Sequence, residues 1–459
     1  MICFIRKIWL FLQSFFIIGM ILRHLILAGM LLIPAGALAA DDSAMPSGGP
    51  AEVHPKIGSS WSGKGISVKL IGRKQQYNAR ETETWDTDIH SPKSVNIHPS
   101  GKKYYVNSLE GGTTVVYDFA TGNKLKAIHH DIGSAHKDMW APDSGLFPFR
   151  YTYRNPGVFT GKPVESTFSH GGRYLWIPYY RRSFDLNAQD PSAMAVIDTE
   201  KDEIVRMFET GPLPKMVAVS PDGRWLAVTH WGDNTVGLLD ISLPNPSQWH
   251  YTACLTVDYK LNLNFSRTQK VDRDTGSGYC LRGTVFTPDN KYLLVGCMGG
   301  GGGIAVIDLK SGKYLGRALG MMSNLRHLVI RDGWLYCSIN NAGYVQRISL
   351  DDFLAACQPL DGKTVKTVNV SGWVNCKVPA GARTIELSPD GKYIYVACNY
   401  SSCLAIVDAA SMTLLGTLQA DSYPVGLDVS KDGRYIFTTS QARGGGGNCV
   451  DIFEVTLSK

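Results

Sequence analysis

Five cations at one recurring position are the residues in this chain best placed to do chemistry. Tetrads of the type Ser-Pro-Asp-Gly recur along the sequence. The position five residues ahead of each tetrad holds Lys93, Lys215, Arg282 and Arg383, and Arg326 joins them if its turn lacks one residue. Two copies break the column, with Val164 (beside Glu165) and Val425. Like charges held close together repel and lose solvation. An anion, or acidic residues from nearby loops, would neutralise them, so the column points to a phosphate, carboxylate or sulfate. The alternative is that each cation pairs locally or reaches to water. His230, Trp231, Asn340, Asn399 and Tyr400 fall in loops expected at the same end of the fold. Trp and Tyr there would set flat apolar faces beside hydrogen-bonding groups, which suits a sugar or peptide.

Other chemistries are weaker or missing. His129, His130 and His136, with Asp131 and Asp138, form the one candidate metal group, and their spacing matches no standard site. No Cys-x-x-Cys-His occurs, so covalent haem is not expected. The glycine runs at 299–303 and 444–447 lack the Lys-Ser/Thr of a phosphate loop. No cofactor is therefore expected. Ten cysteines are present, nine of them after residue 250. Cys398 with Cys403, Cys254 with Cys280, and Cys357 with Cys376 are the candidate disulfides, and Cys337 reads as a buried core thiol.

The elements that must position the cations are strands. Residues 220–228 (SPDGRWLAV), 287–295 (TPDNKYLLV) and 388–396 (SPDGKYIYV) are copies of one pattern. Weaker copies start at His98, Ser169, Arg331 and Ser430, which makes seven. In each, an alternating strand enters a turn in which Pro sets φ and Gly takes the positive-φ position. A strand rich in Tyr, Leu, Ile and Val follows, then a third and a fourth. Four antiparallel strands per repeat predict a blade, and seven repeats predict an all-β, seven-bladed β-propeller over residues 64–459. The last repeat stops after its third strand. The strand-like segment 66–72 is expected to supply the fourth and close the ring.

The second strand of one copy, Tyr395-Val396-Ala397-Cys398-Asn399, resembles the YVTN-type β-propeller repeat family, a resemblance extending over roughly residues 90–456. It implies a secreted bacterial propeller and little about function, since this architecture hosts unrelated roles. In such a ring the long insertions 130–163, 179–191 and 244–278 would all open on the top face, the one carrying the cation column. Long loops in a compact fold usually bind something.

Residues 1–39 read as an export signal. They contain Arg6, Lys7 and Arg23, no acid, two apolar runs, and Ala37-Leu38-Ala39 as a cleavage pattern. Met20 is expected to be the true start. Residues 40–63, rich in Ser, Gly and Pro, read as a flexible leader. Loss of the three cations takes the formal net charge from +6 to +3, which gives no basis for nucleic-acid binding. The expected product is a periplasmic or secreted protein with no membrane span after cleavage. Its top face would bind an anionic small molecule or an envelope protein or glycan. The alternative is a periplasmic enzyme of lactonase-like or dehydrogenase-subunit type.

Overall fold

A hydroxyl ties each of the best repeat turns shut. Ser220 Oγ donates to Asp222 at 2.5 Å and accepts from the backbone of Trp225 at 2.8 Å. Thr287 with Asp289, Ser388 with Asp390, and Ser430 with Asp432 repeat this arrangement. Gly223 and Gly391 supply the positive φ, at +73° and +70°, and Asn290 does so at +55°. The recurring tetrad is thus a side-chain-locked hairpin turn, in which local hydrogen bonds replace ladder bonds.

The computed structural model describes residues 53–75, 84–151, 155–263, 266, 276–443 and 447–457. The expected signal at 1–39, the start of the leader and part of the second glycine run lie outside them. The strands form seven sheets with four antiparallel strands at the heart of each. Their innermost strands are Pro92–Ile97, Thr167–Ser169, Pro214–Val219, Leu281–Phe286, Leu325–Arg331, Ala382–Leu387 and Pro424–Val429. The chain is a seven-bladed β-propeller.

Core residues lie between neighbouring blades. Leu294 and Val306 of blade four pack with Leu335, Cys337 and Ile348 of blade five, and Tyr336 and Val345 of blade five pack with Ile394 and Val396 of blade six. Both faces of each sheet are therefore covered, which explains why the second and third strands are almost continuously apolar.

The ring closes as the sequence predicts. Ile66–Gln75 is the fourth strand of blade seven and runs antiparallel to Cys449–Leu457, with Val68 opposite Val455 and Leu70 opposite Phe453. The expected leader is shorter than proposed. Ser60–Gly63 folds back on Ile66–Lys69 as a further strand, and Val53 exchanges hydrogen bonds with Ser422. Trp61 packs so closely on Gly416 of blade six that a Cβ there would lie 2.2 Å from the indole. An aromatic anchor in a Ser/Gly-rich stretch outweighs its composition.

Two additions decorate the blades. Helix Leu350–Cys357, whose Ser349 hydroxyl accepts from Asp352 N, fills the space beyond blade five. Thr367–Asn369 then joins the outer edge of blade four in parallel with Lys313–Leu319. None of the three candidate cysteine pairs is bridged, and all nine described cysteines are free thiols. Cys398 and Cys403 are direct cross-strand partners. Cys357 and Cys376 belong to the cores on opposite sides of blade five, which is why their sequence proximity does not bring them together. Cys280 packs with Leu213, Trp231 and Met298, whereas Cys254 lies opposite Gly237 in the outer strand of blade three.

Candidate functional site at the channel mouth

The cations of the repeat column share a structural device that their types alone do not reveal. In blades one, three and five the pairing between the first two strands slips at one residue. Pro92 opposes Ser108 and Ser94 opposes Asn107, so Lys93 is the extra residue. Lys215 and Arg326 occupy the same place between Pro214 and Met216, and between Leu325 and His327. Arg282 and Arg383 lie in the corresponding slips of blades four and six. A β-bulge turns a side chain away from the alternation of its strand. Here the turned residue stands second in the innermost strand, at the end where the long insertions enter. Arg326 falls at this place although its turn, residues 332–333 between the paired Arg331 and Trp334, is two residues shorter than the turn 221–224 of blade three. Val425 fills the bulge of blade seven. All five cations are buried, between 0% and 3% exposed.

Blade two is built differently. Its inner edge is broken into Phe159–Pro163 and Thr167–Ser169, both paired to Tyr174–Arg182. Blade one holds the intervening residues: Ser94 Oγ and Asn107 Nδ2 both donate to the Val164 carbonyl, at 2.7 and 3.1 Å. Glu165 is thereby directed toward the axis, and its carboxylate lies 3.5 Å from the Arg282 guanidinium. These residues belong to blades two and four, so the contact passes across the inner end of blade three. Lys215 of blade three holds its ammonium 4.3 Å from the Tyr180 ring centroid and 4.7 Å from that of Trp231, and Arg282 approaches the same indole at 6.0 Å. Trp231 is fully buried, so it serves as a wall between two cations.

The other expected rim residues are more enclosed. His230 is fully buried, with Nδ1 donating to Thr235 Oγ1, which in turn donates to Asp233. Phe147 of the first insertion covers its ring edge-on, and burial lowers its pKa to about 3. Asn340 and Asn399 are also buried and bond to each other at 3.0 Å across blades five and six. They fasten loops and present nothing to solvent. Tyr400 remains partly open, its hydroxyl 3.3 Å from Asn341.

The candidate metal group does not assemble. His130 is buried with both ring nitrogens engaged, Nδ1 by Tyr179 and Nε2 by Thr114. His129 is its neighbour in sequence but lies exposed on the strand Lys124–His129, because successive strand residues face opposite ways. His136 sits in a short 3-10 turn, accepting from Gly133 N. Among the described residues no cluster of three His, Cys, Asp or Glu side chains is arranged to hold a metal.

Below the cations the channel is lined by two carboxyls. A cavity of about 440 Å³ reaches from this level down to Pro221 and Pro288 of the bottom turns. Glu386 and Asp428 face it from the fifth position of their innermost strands, with His327 above. Burial, reinforced for Glu386 by Asp428, raises the two carboxyls to about 8 and about 7, although Asp428 also accepts from the Ile97 and Val429 amides. Burial holds His327 down at about 4. Both carboxyls therefore keep protons in the folded protein that the unfolded chain releases near pH 4. Their joint contribution falls as pH rises through the window from about 4 to about 8. Urea unfolding of the E386Q/D428N variant should accordingly show a stability gain over wild type at about pH 8, on the order of 1–2 kcal/mol, that vanishes near pH 4. An equal difference at both pH values would refute the assignment.

No family model matches the chain. Among curated proteins, antigen Lp49 of Leptospira interrogans is 24% identical over 252 residues, 50% of this chain and 49% of that protein. Hydrazine synthase subunit beta of Kuenenia stuttgartiensis is 24% identical over 254 residues, 48% of this chain and 60% of that subunit. The matches thus span about half the length of these relatives. Among solved structures, Kuenenia stuttgartiensis hydrazine synthase superposes with a TM-score of 0.56 at 14% identity, covering 83% of this chain and 99% of that one. The Cps50 (Swd1) β-propeller domain of Myceliophteria thermophila gives 0.55 at 12% identity, covering 80% and 97%. These likenesses support the propeller fold.

Proposed function

We propose that this propeller is an exported binding or scaffold protein of the YVTN-repeat kind, and that its channel mouth receives an anionic group. The observation that carries the reading is the reach of Glu165 from blade two to Arg282 of blade four, at 3.5 Å. It supports a point on the axis where the protein already sets one carboxylate among bulge-directed cations. An incoming phosphate or carboxylate would extend that pairing with charge-assisted hydrogen bonds. Isothermal titration with inorganic phosphate, sulfate and citrate tests this. Binding that weakens as salt rises supports the site, and no heat from any of the three refutes it. The scaffold part of the reading takes support from a relative named as a subunit of hydrazine synthase. Export rests on the apolar runs and Ala-x-Ala pattern of residues 1–39. N-terminal sequencing of protein recovered outside the cytoplasm should begin at or beside Ala40, and an intact N-terminus in the membrane fraction would count against cleavage.

A further inference from the structure

A second recess lies away from the axis, where the first long insertion folds over blade two. One pocket of about 490 Å³ is walled by Trp140, Phe147 and Phe149, with Arg182, Glu209 and Asp143 as its charged groups. An adjoining pocket of about 230 Å³ shares Phe147 and Pro148 with it and adds Arg150, Gln189, Asp233 and Lys260. Together they make a groove of a size typical of small-molecule sites.

The polar groups of this groove are incompletely used. Arg182 is 1% exposed and ringed by aromatic side chains, its guanidinium carbon 5.0 to 5.1 Å from the centroids of Trp140, Phe149 and Phe159. It donates to the Pro156 and Ser192 carbonyls and contacts Glu209 at 3.5 Å, yet its Nε has no hydrogen-bond partner among the described residues. Gln189 is 3% exposed and its Nε2 also lacks a partner among the described residues. Buried donors left without acceptors are costly, and native structures rarely keep them without a reason. Burial also raises Glu209, with Asp143 adding to the effect and Arg182 opposing it.

The chemistry narrows the occupant. A cation is disfavoured because Arg182 already occupies the aromatic faces. An anion would meet Asp143, Glu209 and Asp233, which offset the cations Arg150, Arg182 and Lys260 that line the groove. A purely apolar ligand would leave the two donors unanswered. A polyhydroxylated ring offers what remains: an apolar face for the aromatic wall, and hydroxyls that both accept from Arg182 or Gln189 and donate to Glu209 or Asp143.

We propose that this groove binds a neutral oligosaccharide. The test uses the full exported chain, with cellohexaose, maltohexaose and hexa-N-acetylchitohexaose as probes, followed by calorimetry and tryptophan fluorescence. At least one probe should bind with a Kd below about 1 mM. W140A should weaken it about tenfold, and D143A, at an exposed position outside the core, should weaken it less. Binding should be indifferent to salt and unchanged in R282A/R383A, which separates this site from the channel mouth. The proposal is overturned if none of the three probes binds at about 10 mM. It is equally overturned if W140A and D143A, both folded by circular dichroism, bind as wild type does.

Discussion

Replacing Arg282 and Arg383 together by alanine is expected to lower phosphate, sulfate or citrate affinity by about 100-fold or more, because each loss removes a desolvated charge from its partner. The native fold should persist. Both side chains stand at bulges outside the ladder, and their removal relieves repulsion among cations that are 3% exposed or less. Glu165→Gln should act in the opposite direction. It withdraws the internal carboxylate beside Arg282, and affinity should rise about tenfold at low salt. Both effects should shrink as ionic strength increases. Titration calorimetry at two salt concentrations reads all of this. Unchanged affinity in the arginine double variant would leave the five cations as structural pairs, with no ligand to account for them.

The largest stability effect is expected at the seam of blade seven. Arg73, on the closing strand, is buried with Nε 2.6 Å from Asp451 and 3.5 Å from Asp421. Its NH1 reaches the Pro55 carbonyl at 3.1 Å, and His54 meets Asp421 at 2.5 Å. Burial works against the charge on Arg73, but Asp451 and its neighbours outweigh it and raise the pKa. Arg73→Met would strand two buried carboxylates without their cation, at a cost of about 3–5 kcal/mol. Burial already raises Asp451 against the opposing pull of Arg73, so without that cation it would hold its proton to still higher pH when folded, and the defect should shrink as pH falls and it takes up a proton. Urea unfolding at neutral and acidic pH measures both. A loss below about 1 kcal/mol at neutral pH would show that the ion pairs of Arg73 contribute little to the seam.

The sequence exposes the scaffold because repetition is visible in one dimension. Ser220, Thr287, Ser388 and Ser430 recur with their Asp two residues on, and seven such hairpins leave few architectures to choose from. The closing strand could be placed because the last repeat stops one strand short. The cation column was readable for the same reason. Its bulges were not, since an extra residue is defined by the partner strand. Glu165 escaped notice as a reaching group because blade two departs from the repeat, and its orientation is imposed by Ser94 and Asn107 of a different blade. His230 ends the strand Trp225–His230 and Asn399 follows Tyr393–Cys398, so both read as loop residues, but Phe147 and Asn340, distant in the chain, cover them. The Arg182 groove had no signature at all. It joins residues from a long insertion to residues of blades two and three, and no repeat register relates them.

The closing strand also sets a schedule. Ile66–Gln75 leaves the ribosome long before its partner Cys449–Leu457. Every blade between them can pair its own four strands by local hairpins as it emerges. Blade seven cannot, because two segments far apart in sequence must meet to finish it, and contacts of such long sequence separation form late. Until its partner emerges, the early strand therefore waits as an open β edge, able to pair with whatever strand it encounters. The hydrogen bonds that seal the finished ring make its first strand the segment that most needs shielding while the rest is being made.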